Sequence, residues 1–215
     1  MKVIHPPLVE CAPLKPLVET VVKLGGGVLA SVDVLEAVLS AVHAAAQAHA
    51  LLIVPGGGPF ADAVRDVDRR LRLSDAAAHW MAVLAMDQHA YLIADRLASA
   101  ALVTSPREIT SAIDAKKIPV LAPFRWLRDA DPLPRSWDVT SDSIAAWVAG
   151  RVGARRLVLV KPRGVDLSSA AVDPYFARAL PEGVSSVIVA ADQIAALRSA
   201  CVADPKTPGV RSRST

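Results

Sequence analysis

Apolar residues along this chain follow two alternating rhythms. Short runs rich in Val, Ile and Leu occupy 20–25, 51–55, 99–103, 118–122, 156–161 and 186–190, and their near-continuous apolar character predicts strands buried on both faces. Between them lie longer stretches with apolar positions three and four apart, which predict helices over 31–48, 59–72, 75–98, 107–115, 142–152 and 192–200. The longest follows Ser74, a good N-cap residue, and carries Trp80, Met81, Leu84, Tyr91, Leu92 and Leu97 at helical spacing. Strand and helix taking turns imply right-handed crossovers. The expected fold class is therefore α/β, a three-layer α/β/α sandwich around a largely parallel sheet. One segment breaks the rhythm: residues 122–138, with three prolines and two tryptophans, predict a loop or short excursion of the kind that often closes over a ligand.

Composition narrows the class. The chain has 215 residues, 53% of them hydrophobic and only 4% aromatic, enough for one sizeable domain over 1–203 with no internal repeat and no dividing linker. The polar tail 204–215 is expected to be disordered. No apolar run approaches the roughly 20 residues that cross a bilayer, and the first twenty residues, with Glu10, Glu19 and several prolines, lack a signal-peptide layout. A cytoplasmic protein without a membrane partner is expected. Cys11 and Cys201 stand far apart outside any C-x-x-C pattern and read as ordinary reduced cysteines. The net charge of +3 owes much to Lys206, Arg211 and Arg213 in the tail, while elsewhere acids and bases alternate, as in Asp66, Asp68, Arg69, Arg70 and Arg72. Nucleic acid is not an expected partner. His43, His49 and His89 lack metal-ligand spacing such as H-E-x-x-H, and no metal site is expected from the protein's own side chains.

Chemistry concentrates where strands end. In "TVVKLGGGVL" a lone Lys23 sits in an apolar strand that runs into Gly25, Gly26 and Gly27, and "LLIVPGGGPF" repeats the pattern with Gly56, Gly57 and Gly58. Each run follows a strand and precedes a helix, so a parallel sheet brings both to its carboxyl edge, facing one crevice. The helix beyond each run offers free N–H groups and a favourable dipole to an anion. Two anion cradles with a lysine between them suit phosphoryl transfer, in which donor and acceptor anions repel and their charge must be neutralised. A third cluster, "WDVTSDSIAAWVAG", puts Thr140, Ser141, Asp142 and Ser143 at the start of a helix. That is more polar side chains than a cap needs, and Asp142 can hold the ammonium of Lys23. A fourth, "LVLVKPRGVD", ends another strand on Lys161, followed by Arg163 and Gly164.

Other readings stand beside this one. A Walker P-loop is excluded, because neither glycine run precedes Lys-Ser/Thr. Gly56, Gly58 and Ala61 match the dinucleotide fingerprint G-x-G-x-x-A, which leaves Lys23 and the first run unexplained. Two glycine turns that serve only tight connections remain an alternative.

With these four elements in order, the sequence resembles the amino acid kinase family through "VVKLGGG", "VPGGGPFAD", "TSDSIAAWVA" and "LVKPRGVD...DPYF", which span residues 20–176. "TSDSIAAWVA" looks most like the uridylate-kinase branch. "SDAAAHWMAVLAMDQHA" and "KPRGV" look closest to a subgroup that phosphorylates [5-(aminomethyl)furan-3-yl]methyl phosphate in methanofuran biosynthesis. The resemblance implies ATP and Mg2+, a small phosphomonoester substrate that becomes a diphosphate, and a homo-oligomer, dimer or higher. It implies an acceptor half near 20–120 and a nucleotide half near 121–203.

It also implies roles residue by residue. Lys23 would contact the transferred phosphoryl group, Gly25 to Gly27 would bind donor phosphates, and Gly56 to Gly58 would cradle the acceptor phosphate. Asp142 would orient Lys23, with Ser141 and Ser143 near the phosphates. Lys161, Arg163 and Gly164, together with Asp173, Tyr175 and Phe176 of "DPYF", fall where the family holds the nucleotide. His79 stands where the uridylate branch has an acid that contacts ribose, which disfavours a nucleoside acceptor. Asp87, two turns on, is a partner for an acceptor amine, and Arg65 for the acceptor phosphate. Two departures bear on this. Arg163 replaces an acid that many members carry, and no late Lys-x-x-Ala-Ala element supplies a second catalytic lysine, so Lys161, Arg163 or a metal has to provide that charge. A non-catalytic nucleotide or oxyanion binder, or a kinase for isopentenyl phosphate, would share these features.

Overall fold

The computed structural model describes residues 16–168 and 171–202. Cys11 and the tail, on which two of the expectations above fall, lie outside them. Six parallel strands form one sheet in the order β3-β4-β2-β1-β5-β6. They are β1 (Thr20–Leu24), β2 (Leu51–Pro55), β3 (Ala100–Val103), β4 (Ile118–Leu121), β5 (Arg156–Lys161) and β6 (Ser185–Ala190). The helices are α1 (Val32–Ala46), α2 (Gly58–Leu71), α3 (Asp75–Arg96), α4 (Pro106–Asp114), α5 (Phe124–Ala130), α6 (Ser141–Arg151), α7 (Phe176–Ala179) and α8 (Ile194–Val202). All six expected strands and all six expected helices are present, with ends displaced by no more than two residues. Ser74 caps α3, its hydroxyl accepting the Ala77 N–H at 3.3 Å.

Helices cover both faces of the sheet. Val21, Leu52, Val54, Leu157 and Leu159 point into a core shared with α4, α5 and α6, and Val22, Leu24, Leu51, Ile53, Val158 and Val160 into a second core under α1 and α8. The period of two therefore assigns Lys23 to the α6 face, the one charged position in a strand buried throughout. The chain runs from β1 to β2 on one side and from β5 to β6 on the other. The strand order thus reverses between β1 and β5, which is where open parallel sheets hold ligands beyond their carboxyl ends.

The segment 122–138 is not all loop. Its prolines bracket α5, where Phe124 and Leu127 face the core and the carboxylate of Asp87 accepts the first N–H, that of Phe124, at 3.0 Å. The residues that follow cross over the start of α3. Arg128 and Arg135 both lie over the Trp80 ring, 5.0 and 5.6 Å from its centroid, and Arg135 is also paired with Asp131.

Candidate active site

The two glycine runs meet. Gly25 continues β1, and its N–H donates to the Val160 carbonyl at 2.8 Å; Gly56 continues β2, and its N–H donates to the Leu24 carbonyl at 2.7 Å. The loops press backbone on backbone. A Cβ on Gly26 would lie 2.1 Å from Gly58 Cα, and Gly58 itself has φ +56°, so neither position accepts a side chain without moving the other loop. Part of the glycine content is thus explained by protein packing alone. The first run then enters a 3-10 turn, Gly26–Ala30, and the second opens α2, with Gly57 as N-cap.

At their junction three charges are buried. Lys23 and Lys161 are 4% and 8% exposed, and Asp142 between them is 4% exposed. Asp142 Oδ1 lies 2.9 Å from Lys23 Nζ, and Lys161 Nζ donates to Oδ2 at 2.6 Å. The pleat explains the arrangement. Lys23 registers with Leu159 on β5, so Lys161, two residues on, is the next position on the same face, and both ammoniums reach the first turn of α6. Burial pushes the Lys23 ammonium below the usual lysine value; Asp142 opposes that shift and Lys161 adds to it. Burial also works against charge on Asp142, yet the two ammoniums outweigh it and hold the carboxyl below its ordinary range. One carboxylate shared by two lysines leaves a cationic excess in a low-dielectric site, which calls for an anion.

Asp173 anchors this arrangement from a distance. Its carboxylate accepts the N–H groups of Thr140 and Ser143 at 2.9 and 3.0 Å and the Thr140 hydroxyl at 2.7 Å, and it also takes the Ser143 hydroxyl. Thr140 occupies the N-cap position but makes no side-chain cap of its own, so the cap of α6 is supplied from thirty-odd residues further along the chain. Asp173 and Ser143, expected near the nucleotide and its phosphates, are engaged with one another at the start of α6. Both side chains are buried and committed to each other. Phe176, expected in the same region, packs in the α6-side core and is 7% exposed. Arg163 and Gly164 lie in an exposed turn after β5, and Arg163 makes no contact with Asp142, so the second ammonium at this carboxylate belongs to Lys161. Tyr175 stands at the start of α7, under Arg178.

Beside the charged junction opens a cleft of about 420 Å³, counting the part open to solvent. Gly57, Arg65, His79, Thr140 and Ser141 supply its polar lining, together with Ser136 and the Trp137 ring from the segment after α5. The remainder is apolar: Ala61, Ala82, Val83, Met86, Val139 and Ile144. Trp137 is held in place by its indole N–H, which donates to Asp68 at 2.8 Å, and the Arg65 guanidinium lies 4.9 Å from its ring centroid. Burial lowers the His79 pKa, and Arg135 adds to the effect, so this imidazole is neutral at physiological pH. Asp87 is absent from the lining. Eight residues along a helix turn the side chain by roughly 80° relative to His79, enough to move it from the cleft to α5. Burial raises its pKa to about 6, against the pull of the Phe124 N–H.

Sequence reasoning missed two contributors. Trp137 lies in a segment without periodicity, and the sequence around His89 speaks only to metal-ligand spacing, which it lacks. The available signal for His89 was its place on the buried stripe of α3, three residues after Met86 and one before Ala90.

A model of the amino acid kinase family matches residues 19–162. The chain is 30% identical over 112 residues to [5-(aminomethyl)furan-3-yl]methyl phosphate kinase of Methanocaldococcus jannaschii, covering 51% of this chain and 50% of that protein. It therefore matches about half the length of that curated relative. Among solved structures, uridylate kinase from Archaeoglobus fulgidus superposes with a TM-score of 0.63 at 16% identity, covering 84% of this chain and 95% of that one. UMP kinase from Bacillus anthracis gives 0.63 at 14% identity, covering 88% and 94%. At such identities the structural likeness establishes the fold alone.

Proposed function

Because the chain belongs to the amino acid kinase family, we propose that it moves the γ-phosphoryl group of ATP onto the phosphate of a small phosphomonoester, giving a diphosphate. The observation that carries this is the pair of strand-end lysines sharing Asp142 at the rim where the two glycine loops touch. Two polyanions brought together there need fixed positive charge and N–H donors more than they need a base, since the acceptor phosphate is already ionised near neutral pH. Lys23 and Lys161 neutralise charge on the transferring group. The glycine-loop N–H groups and the N-terminus of α2 hold the flanking phosphates, and Asp142 keeps both ammoniums aimed. The donor set at the junction is cationic and N–H, and the one carboxylate there, Asp142, is ion-paired with Lys23 through Oδ1 and hydrogen-bonded by Lys161 through Oδ2, so Mg2+ would arrive held by the nucleotide's phosphates. When bound it supplies further charge neutralisation between the transferring groups.

The cleft lined by Arg65 and His79 is the acceptor pocket in this proposal, and [5-(aminomethyl)furan-3-yl]methyl phosphate, the substrate named for the M. jannaschii relative, is the first acceptor to test. One observation favours a second acceptor. No carboxylate lines the cleft to pair with an amine, a character that suits isopentenyl phosphate. ADP release with these two esters and uridylate, each at several concentrations, decides among them. Nucleotide binding without ADP release across the panel would reject the kinase in favour of an oxyanion or nucleotide binder. A homo-oligomer and a cytoplasmic location belong to the same proposal. Leu84 and Tyr91, seven residues apart on α3, are exposed apolar positions on one face, and no helix among the described residues is long and apolar enough to cross a membrane.

A further inference from the structure

His89 is the one fully buried polar side chain of α3, with no exposed surface, and nothing in the mechanism above uses it. Its Nδ1 lies 2.6 Å from the carbonyl oxygen of Gly56, which can only accept, so the ring proton resides on Nδ1. Nε2 is then a bare lone pair, and among the described residues it has no partner. Burial lowers the pKa of this imidazole; the hydrogen bond to Gly56 opposes that shift and the Lys23 ammonium adds to it, and the net lowering keeps the ring neutral with its proton on Nδ1.

The consequence lies across the peptide bond. The Gly56–Gly57 peptide is trans, and in a planar trans peptide the C=O and N–H point in opposite directions. Fixing the Gly56 carbonyl on α3 therefore directs the Gly57 N–H away from His89, at a loop residue that lines the cleft. Among the described residues that N–H donates to no protein acceptor. Glycine on both sides of the bond leaves little steric resistance to a flip of this peptide. A flip would exchange the N–H for a carbonyl oxygen, turning an anion-binding edge into an anion-repelling one.

We propose that His89 is a positioning residue whose hydrogen bond to the Gly56 carbonyl locks the Gly56–Gly57 peptide with the Gly57 N–H presented to an anionic phosphomonoester. This deepens the proposed function and rests on its placing of the acceptor phosphate at the second glycine run. Asparagine can retain the donor, because its amide nitrogen takes the place of Nδ1; phenylalanine keeps the bulk and removes the donor.

The test uses the whole ¹⁵N-labelled chain and methyl phosphate as the probe. Long-range histidine spectra are expected to show His89 protonated on Nδ1 alone from pH 6 to 8, and methyl phosphate to shift the Gly57 amide. His89→Phe should weaken methyl phosphate binding at least tenfold, and His89→Asn should stay within about threefold of the natural chain, the charge-assisted N–H···O bond at stake being of that size. A proton on Nε2, a Gly57 amide indifferent to methyl phosphate, unaltered binding in His89→Phe, or equal losses in both variants would each overturn the proposal. Should His89→Phe fail to fold, the tautomer and the Gly57 titration of the natural chain decide alone. A chain that binds methyl phosphate at Gly57 yet releases no ADP with any ester would defeat the kinase proposal and leave the His89 clamp standing.

Discussion

Replacing Lys161 by methionine is the sharpest test of the charged junction. The change removes one of two ammoniums and leaves Lys23 and Asp142 as a one-to-one ion pair at 2.9 Å, so the junction loses its cationic excess while keeping a compensated charge. At an effective dielectric near 20, an ammonium about 5 Å from charge developing on a phosphoryl oxygen contributes roughly 3 kcal/mol. That corresponds to a fall in kcat of between about a hundredfold and a thousandfold, the range seen when one preorganised donor is removed. Stability should hold or rise, because methionine fills the volume of the lysine stem and a buried charge has gone. The assay is steady-state ADP release with saturating acceptor, alongside thermal unfolding and the control Arg163→Met, whose side chain is exposed. A kcat within threefold of the natural chain, or an equal loss in the Arg163 control, would refute the assignment of the second cation to Lys161.

Three further outcomes follow from the same geometry. Asp142→Asn strands two buried ammoniums and should cost about 3–5 kcal/mol of stability. Asp142 holds the Lys23 pKa up against burial, so its loss lowers that pKa further and the variant's folded state binds fewer protons than the natural one; the deficit should therefore shrink as pH rises, which thermal melts from pH 7 to 10 will show. Asp173→Ala uncaps α6 and leaves the Thr140 and Ser143 N–H groups without their acceptor, with an expected loss of about 1–2 kcal/mol and a lower kcat as Asp142 shifts. A raised KM for ATP with kcat and melting temperature unchanged would instead favour direct nucleotide contact. Asp87, raised to about 6 in the fold, destabilises the protein as pH climbs from about 4 through 6. Asp87→Asn should therefore gain roughly 1–2 kcal/mol above pH 6, less than the full shift implies because the group is partly solvated, and the gain should vanish near pH 4 in paired calorimetric scans.

Much of this protein is written in local pattern. The alternation of short β-branched runs and helical stripes determined six strands, six long helices and a parallel sheet, because burial on both faces of a sheet and on one stripe of a helix leaves a periodic trace in the chain. Lys23 and Lys161 stood out for the same reason: a cation within an apolar strand, or at its carboxyl end, breaks the pattern that packing requires. The family motifs were equally visible, since both glycine runs and "TSDS" are contiguous.

Only the tertiary structure decided how those pieces divide their work. Asp173, Ser143 and Asp142 are all polar residues in matching motifs, yet one caps a helix from a remote segment, one receives that anchor and one faces the lysines. Which carboxylate meets which donor depends on contacts between residues far apart in the chain, 19 positions for Lys161 and Asp142 and 33 for Thr140 and Asp173, and no local propensity carries that information. The same holds for Asp87, turned by its helix from the cleft toward α5, and for His89, whose hydrogen bond reaches a glycine 33 positions earlier. Side chains on one buried stripe look alike in sequence. Their chemistry is set by the particular backbone group each one reaches once water has been excluded and an unpaired polar atom becomes costly.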